Sequence, residues 1–452
     1  MDRSLTNKAR EVLDRCLKGR ATAGEICLME ARNTHLEVEH GAIDVIKNSQ
    51  DRLLAVRILR GHSLGFAYST DFSPASLDML VDQVMNSAAS TDEDPHYHLP
   101  SSGKATTPVT MDERLSSVPL TEKFTRCQEM ERAAYRVDPR IKVARQFSYS
   151  ETLTDVYLVN SHGMEVSYGK TACSTFAMVV AQEGSDAQMA WEMDIQTSYD
   201  RLKWDEVGEG AAHKALSLLG ARSIGTRRAP VIFSPPVGIS IVGAFSPAFF
   251  ADAVQKGRSL MAGRLGQTVA SSAVSLVDNG LLDGGLATAP YDGEGVPTQK
   301  TIIVDKGRLA TYLYDSYTAH KDGVKSTGNG VRPGPKSPPQ VGATNFYIEK
   351  GTCTEEELLA GIQEGFYVTD VMGAHTINPI SGDYSLGATG YWIKGGQRAY
   401  PVRGVTISGN MLDMLTSISK CADNLRFYGP FGAPTMLVSS MIIAGEESGT
   451  EG

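Results

Sequence analysis

Apolar positions in the first twenty residues repeat at helical spacing, so that Leu5, Ala9, Val12, Leu13 and Cys16 share one face. The texture then changes to alternation. Residues 26–29, Leu36 with Val38, Ile43 with Val45, 54–59 and 64–68 predict short strands, turning at His40-Gly41 and Arg60-Gly61. A well-signalled helix follows. Ser73 is its N-cap, Pro74 its first helical residue, Phe72 and Leu77 its hydrophobic staple, and Leu77, Leu80, Val81, Val84 and Met85 its apolar stripe. Residues 90–117, rich in Pro, Ser and Thr, predict a long loop.

Beyond that loop the pattern predicts a helix over 121–137 and strands over 141–147, 155–160, 164–168 and 174–181. Asn160-Ser161-His162-Gly163 forms a hairpin turn between two of them. A helix over 204–219, closed by Gly220, ends the first half. Later signals include hairpins turning at Asp305-Lys306-Gly307 and Lys394-Gly395-Gly396, and a capping box from Thr354 to Glu357. A helix over 411–420 and a last strand over 435–443 follow. Hairpins outnumber crossovers, which predicts an α+β protein and not a doubly wound sheet. A chain of 452 residues exceeds a single core. Two domains are expected: a mixed hairpin sheet with helices over 1–220, a connection over 221–230, and a β-rich domain over 231–452.

The formal charge of −9 argues against a nucleic-acid surface, and Arg222, Arg227 and Arg228 read as a solvated interdomain cluster. Residues 229–251 form the longest uncharged run, but their prolines make them buried core and not a membrane span. The N-terminal stretch has no apolar h-region, so no secretory leader is expected. Six scattered cysteines without a C-x-x-C pair predict reduced, buried thiols.

Chemistry-bearing motifs are sparse. None of the nine histidines stands in H-E-x-x-H or H-E-x-x-x-H, the spacings that put two imidazoles and a carboxylate on one helical face. His96 and His98 share a face in an extended segment, but their proline-flanked loop reads as exposed. The glycine-rich Gly328-Asn329-Gly330 and 382–387 lack the context of a phosphate loop and read as tight turns. No Gly-x-Ser-x-Gly elbow is present. Cys421, beside Lys420 on an expected helix, reads as structural.

A series of segments nevertheless occurs in a telling order. It runs Gly263-Arg264-Leu265-Gly266-Gln267, Asp292-Gly293-Glu294-Gly295-Val296-Pro297-Thr298, Ser326-Thr327-Gly328-Asn329-Gly330 and Ala343-Thr344-Asn345. Then come Ser381-Gly382-Asp383-Tyr384-Ser385, Ile407-Ser408-Gly409-Asn410 and Ala433-Pro434-Thr435. With Leu36-Glu37-Val38-Glu39-His40-Gly41 and Gly65-Phe66-Ala67-Tyr68-Ser69-Thr70 in the first half, the chain resembles the TldD/PmbA (TldD/TldE) metallopeptidase family over nearly its whole length.

In the metal-binding TldD type, a His-Glu-x-x-x-His helix precedes the Gly-Arg-x-Gly-Gln segment. By that resemblance its three functional positions fall on Val242, Gly243 and Pro247, and residues 423–434 lack the family's cysteine ligand. The resemblance therefore implies a PmbA/TldE-like subunit without the zinc motif, carrying no metal, cofactor or catalytic residue of its own. Its expected partner is a TldD-like subunit that supplies zinc, with a homodimer as an option for the isolated chain. The implied activity of the pair is cytoplasmic cleavage of unfolded or extended peptides, and an older family label is modulator of DNA gyrase. Asn329, Asn345 and Asp383 are the expected cavity or interface residues. Two other readings stay open: a stand-alone homodimeric binding or scaffold protein, and an enzyme with a non-metal mechanism.

Overall fold

The computed structural model describes residues 2–101, 103–334 and 336–446. The chain opens with α1 (Arg3–Lys18), whose buried face is the predicted one. Three strands follow, β1 (Ala23–Glu39), β2 (Ala42–Arg60) and β3 (Ser63–Ser69), and then α2 (Pro74–Ala89), capped by Ser73. After an irregular stretch come α3 (Leu120–Val137), β4 (Ile141–Asn160), β5 (Glu165–Glu183), β6 (Asp186–Gln196) and α4 (Trp204–Ser217). The six strands form one antiparallel sheet in the order β3-β2-β1-β4-β5-β6.

The strands are far longer than the pattern predicts. Residues 26–38 are one strand and not two, and 141–160 and 165–183 likewise run unbroken through their polar stretches. Ladder hydrogen bonds with both neighbours carry β1 and β4 across positions where burial gives no signal. β6 escapes the pattern as well, since its residues alternate only weakly between buried and exposed. All four helices cover one face of the sheet, packing on Leu28, Leu54, Phe147, Tyr149 and Ala177. The other face, carrying Cys27, Ala55, Val156 and Leu158, turns towards the second half of the chain.

That half contains β7 (Arg227–Phe233), α5 (Pro235–Phe245), α6 (Ala251–Gln255), β8 (Leu276–Asn279), β9 (Lys300–Asp305), β10 (Arg308–Leu309) and α7 (Ser316–Asp322). It continues with β11 (Gly330–Val331), β12 (Gln340–Val341), β13 (Phe346–Ile348), α8 (Glu355–Ala360), β14 (Glu364–Met372), β15 (Asp383–Lys394) and β16 (Gln397–Asn410). The last elements are α9 (Met411–Ser417), β17 (Ile418–Cys421), β18 (Arg426–Tyr428), β19 (Phe431–Ala433) and β20 (Met436–Ala444). Strands β7, β14, β15, β16 and β20 close into a barrel, because β16 pairs with both β15 and β20, while β17 shares an edge of β20. A second sheet runs β10-β9-β8-β13-β19-β18. One continuous core, including Phe233, Phe249, Phe346, Phe366 and Trp392, joins barrel, sheet and α5.

The architecture is α+β in two parts, as expected. The hairpin turns at Lys306-Gly307 and Gly395-Gly396 take the predicted left-handed backbone. Two local expectations fail. The helix expected over 411–420 stops at Ser417, and 418–421 pairs with β20, so Cys421 stands on a strand. Burial pushes the Cys421 thiol up to about 12, as an inert structural thiol requires. Arg222 and Arg227 are not simply solvated: their guanidinium carbons lie 3.8 Å and 4.9 Å from the ring centroids of Tyr400 and Trp392. None of the helices among the described residues is long and apolar enough to cross a membrane.

Candidate functional site

Helix α5 starts directly after Ser234, whose backbone is still extended, and Pro235 and Pro236 occupy the first helical turn, positions that need no intrahelical N–H donor. It is apolar on nearly every side, with Val237, Ile239, Ile241, Val242 and Phe245 buried. Gly238 lets the helix approach the last strands: a Cβ there would stand 2.8 Å from Ala433 Cβ and Met436 Cε. The helix ends at Phe245, and Pro247 lies in the 3₁₀ turn that follows.

The three positions singled out by resemblance therefore fall at the end of α5 and in the 3₁₀ turn after it. Val242 is buried in the core, and Gly243 lies against the ring of Phe431, whose Cδ2 would stand 3.2 Å from an added Cβ. Phe431 begins β19 and belongs to the 423–434 segment, so folding brings the helix and the late segment together, as a split metal site would need. The donor set does not fit zinc. Valine, glycine, proline and phenylalanine side chains offer no nitrogen, oxygen or sulfur lone pair. Among the described residues, no group of three or more His, Cys, Asp or Glu is arranged to hold a metal ion.

Beside this junction runs a cleft of about 590 Å³, lined by Glu192 to Gln196, Lys203, Glu206, Leu282 to Leu286 and Leu425 to Gly429. Its lining includes residues of β6 and β18, each the outermost strand of its sheet. Glu192 ties them together. Its carboxylate receives the Tyr428 hydroxyl at 2.9 Å and the Lys214 ammonium at 2.9 Å, with Arg426 at 3.5 Å. Burial opposes ionisation of Glu192, but the Lys214 and Arg426 charges outweigh it and hold the carboxyl below its usual range. Outer strands present N–H and C=O groups that an extended peptide can pair with, so this cleft suits strand addition.

The three expected cavity residues separate into two places. Asn329 donates to Asp278 Oδ1 at 2.8 Å and to the Gly342 carbonyl at 2.9 Å, while accepting from Thr327. Asn345 is equally committed, receiving Ala287 N–H at 3.1 Å and donating to the Asn279 carbonyl and Thr288 Oγ1. Both are buried braces of a polar layer around Asp278, which also accepts Thr344 N–H and Oγ1–H. Asp383 lies apart, exposed at the barrel end, where it accepts from Asn410. The loop carrying His96 and His98 docks on α7. The His320 imidazole meets the His96 carbonyl at 3.0 Å, and the Tyr317 hydroxyl donates to Asp94 at 2.7 Å.

Glu192 and Phe431 were not singled out by sequence. A carboxylate in a weakly alternating strand and an aromatic after Gly-Pro carry no motif, and only their cross-chain neighbours reveal them.

Residues 24–88, 113–219 and 226–445 match, in turn, the models for PmbA/TldA metallopeptidase domain 1, central domain and C-terminal domain. The chain is 28% identical over 436 residues to the Escherichia coli O157:H7 "Metalloprotease PmbA", covering 95% of this chain and 93% of that protein. It is 25% identical over 393 residues to a "Metalloprotease TldD homolog" from Buchnera aphidicola, covering 83% and 80%. A Thermotoga maritima protein proposed as a modulator of a DNA gyrase superposes with a TM-score of 0.89 at 26% identity, covering 97% of this chain and 100% of that one. TldE from Thermococcus kodakarensis has the same fold, with a TM-score of 0.89 at 24% identity and the same coverage. The three family models together span most of the chain, which is therefore a member of the PmbA/TldD metallopeptidase family.

Proposed function

We propose that this chain is the PmbA/TldE-like subunit of a heterodimeric peptidase, and that a TldD-like partner with a His-Glu-x-x-x-His helix carries the zinc. In this reading the chain contributes cavity wall and peptide-holding edges, and the partner contributes metal, base and oxyanion stabilisation. The substrate class is unfolded or extended peptide, because a cleft bounded by two outer strands accepts a chain only in extended form.

One observation carries the reading: the helix and late segment that would form a split metal site meet through Gly243 and Phe431, with no ligating side chain between them. The framework is kept while the donors are absent. The test is elemental analysis and peptidase assay of the purified chain, alone and co-expressed with a His-Glu-x-x-x-His relative. Zinc bound only by the pair, with cleavage of an unstructured peptide only by the pair, is the expected result. Stoichiometric zinc in the chain alone, or chelator-sensitive cleavage by it, overturns the proposal. Saturable peptide binding by a homodimer that ignores the relative would favour the scaffold reading instead.

A further inference from the structure

A cavity of about 390 Å³ lies between the helix-free face of the first sheet and the loops of the second half. That volume falls in the range of roughly 300–1,000 Å³ typical of small-molecule sites. Val156, Leu158 and Lys170 stand on one wall, and Leu286, Ala287 and Arg332 on the other. Aliphatic side chains share the lining with threonine and tyrosine residues, among them Thr154 and Tyr168. Two cationic side chains stand among them.

Neither cation is fully engaged. Lys170, on β5, makes no ion pair or hydrogen bond among the described residues. Burial acts on it without a compensating carboxylate and draws its pKa below the usual lysine range. Arg332 donates from Nε to the Gly293 carbonyl at 2.9 Å and from Nη2 to Glu25 Oε1 at 2.5 Å. Its Nη1 is buried without any acceptor, although the side chain is only 8% exposed. That N–H is enclosed by protein, so Lys170 is the cation left to face the cavity.

The local charges leave a positive excess. Arg57 and Arg332 are balanced by Glu25 and Glu294, so Lys170 is left over. Asp292 also lines the cavity, but its oxygens are turned to backbone donors. Oδ1 accepts Glu294 and Val296 N–H, and Oδ2 accepts Gly330 N–H, each within 2.9 Å. Burial and the neighbouring Glu294 charge raise the Asp292 carboxyl well above the ordinary range, which weakens its claim on Lys170.

We propose that this cavity binds a carboxylate borne on a short aliphatic body, with Lys170 as its cationic donor. Such a carboxylate is the C-terminus of a small peptide or a free aliphatic acid. One unpaired ammonium matches a single negative charge. A phosphate dianion would bring a second negative charge, and no second unpaired cation lines the cavity among the described residues. The inference needs only this chain and is independent of any zinc-bearing partner.

The test is calorimetric titration of the purified full chain with N-acetyl-trialanine, its C-terminal amide, hexanoate and inorganic phosphate. At least one of the two acids is expected to bind saturably, with the amide and phosphate about tenfold weaker or worse. Peptide acid without hexanoate assigns a peptide C-terminus, and hexanoate alone assigns a free acid. Lys170→Met should weaken the acid about tenfold and leave the amide unchanged, while Lys170→Arg retains binding. Equal binding of acid and amide, no saturable binding of either acid, tighter binding of phosphate, or an unaffected Lys170→Met overturns the proposal. The acid–amide comparison uses the unaltered chain, so it stands even if a variant folds poorly.

Discussion

The ring of Phe431 lies against Gly243 so closely that a Cβ on that glycine would sit 3.2 Å from Cδ2. An aromatic ring thus seals the junction where the metal-binding relatives are expected to place a ligand and a base. The contact is steric and apolar, and it gives the first prediction. Gly243→Leu should cost about 1–3 kcal/mol by overpacking. Adding Phe431→Ala to Gly243→Leu should recover part of that loss, because the two changes share one space. A double-mutant cycle by urea unfolding checks it, and strict additivity would show that the contact is not the constraint.

Arg57 joins the two halves through a buried network. Its two terminal nitrogens hold Glu25 and Glu294 at 2.8 Å each, and Glu25 also receives Arg332. Arg57→Met leaves two carboxylates without their shared cation and should cost about 3–5 kcal/mol. Adding Glu294→Gln should restore much of it, since Glu25 keeps Arg332 as its partner and no carboxylate is then left unpaired. Urea midpoints of the single and double variants decide the matter.

Asp278 makes stability depend on pH. Burial pushes its carboxyl up to about 6 from an ordinary 3.8, against the opposing hydrogen bonds from Thr344 and Asn329. Between those values the folded chain holds a proton that the unfolded chain has released. The stability from this group is therefore complete below about pH 4 and is lost as pH rises through 6. Asp278→Asn, which has no proton to lose, should flatten the stability profile between pH 4 and 6 by up to about 3 kcal/mol. Unfolding midpoints at several pH values in that window measure the difference.

Glu192 fixes the width of the cleft by holding Tyr428 and Arg426 of β18 against β6. Glu192→Ala should loosen that end and speed hydrogen exchange at Arg426, Phe427 and Tyr428 several-fold, with exchange in the barrel unchanged. Because Lys214 and Arg426 are substantially exposed, the expected global cost is only about 1 kcal/mol. Unchanged exchange in β18 would mean that the strands are held apart by something else.

Elements in both halves were legible in the sequence where their signals are local. The buried face of α1, the Ser73 cap, the turn at His40-Gly41 and the Thr354–Glu357 capping box each depend on residues within one or two turns. Strand lengths were not legible. The distal half of β2 is exposed on both faces, so only its ladder with β1 makes it a strand. The same limit explains Cys421, whose segment looks helical until β20 offers it an edge.

The site divides along the same line. Sequence by itself determined that Val242, Gly243 and Pro247 have no ligating side chain, because ligand chemistry is a property of the residue. It also determined the order of glycine-rich segments that marks the family. Only tertiary structure decided that Phe431 covers Gly243, that Glu192 spans the cleft to Tyr428, and that Asn329 and Asn345 are internal braces while Asp383 stands apart. The same holds for Lys170 and Arg332, which are 162 positions apart by their numbering and line one cavity. These relationships join residues far apart in the chain. They arise from strand register and domain docking, which no local pattern of polar and apolar positions encodes.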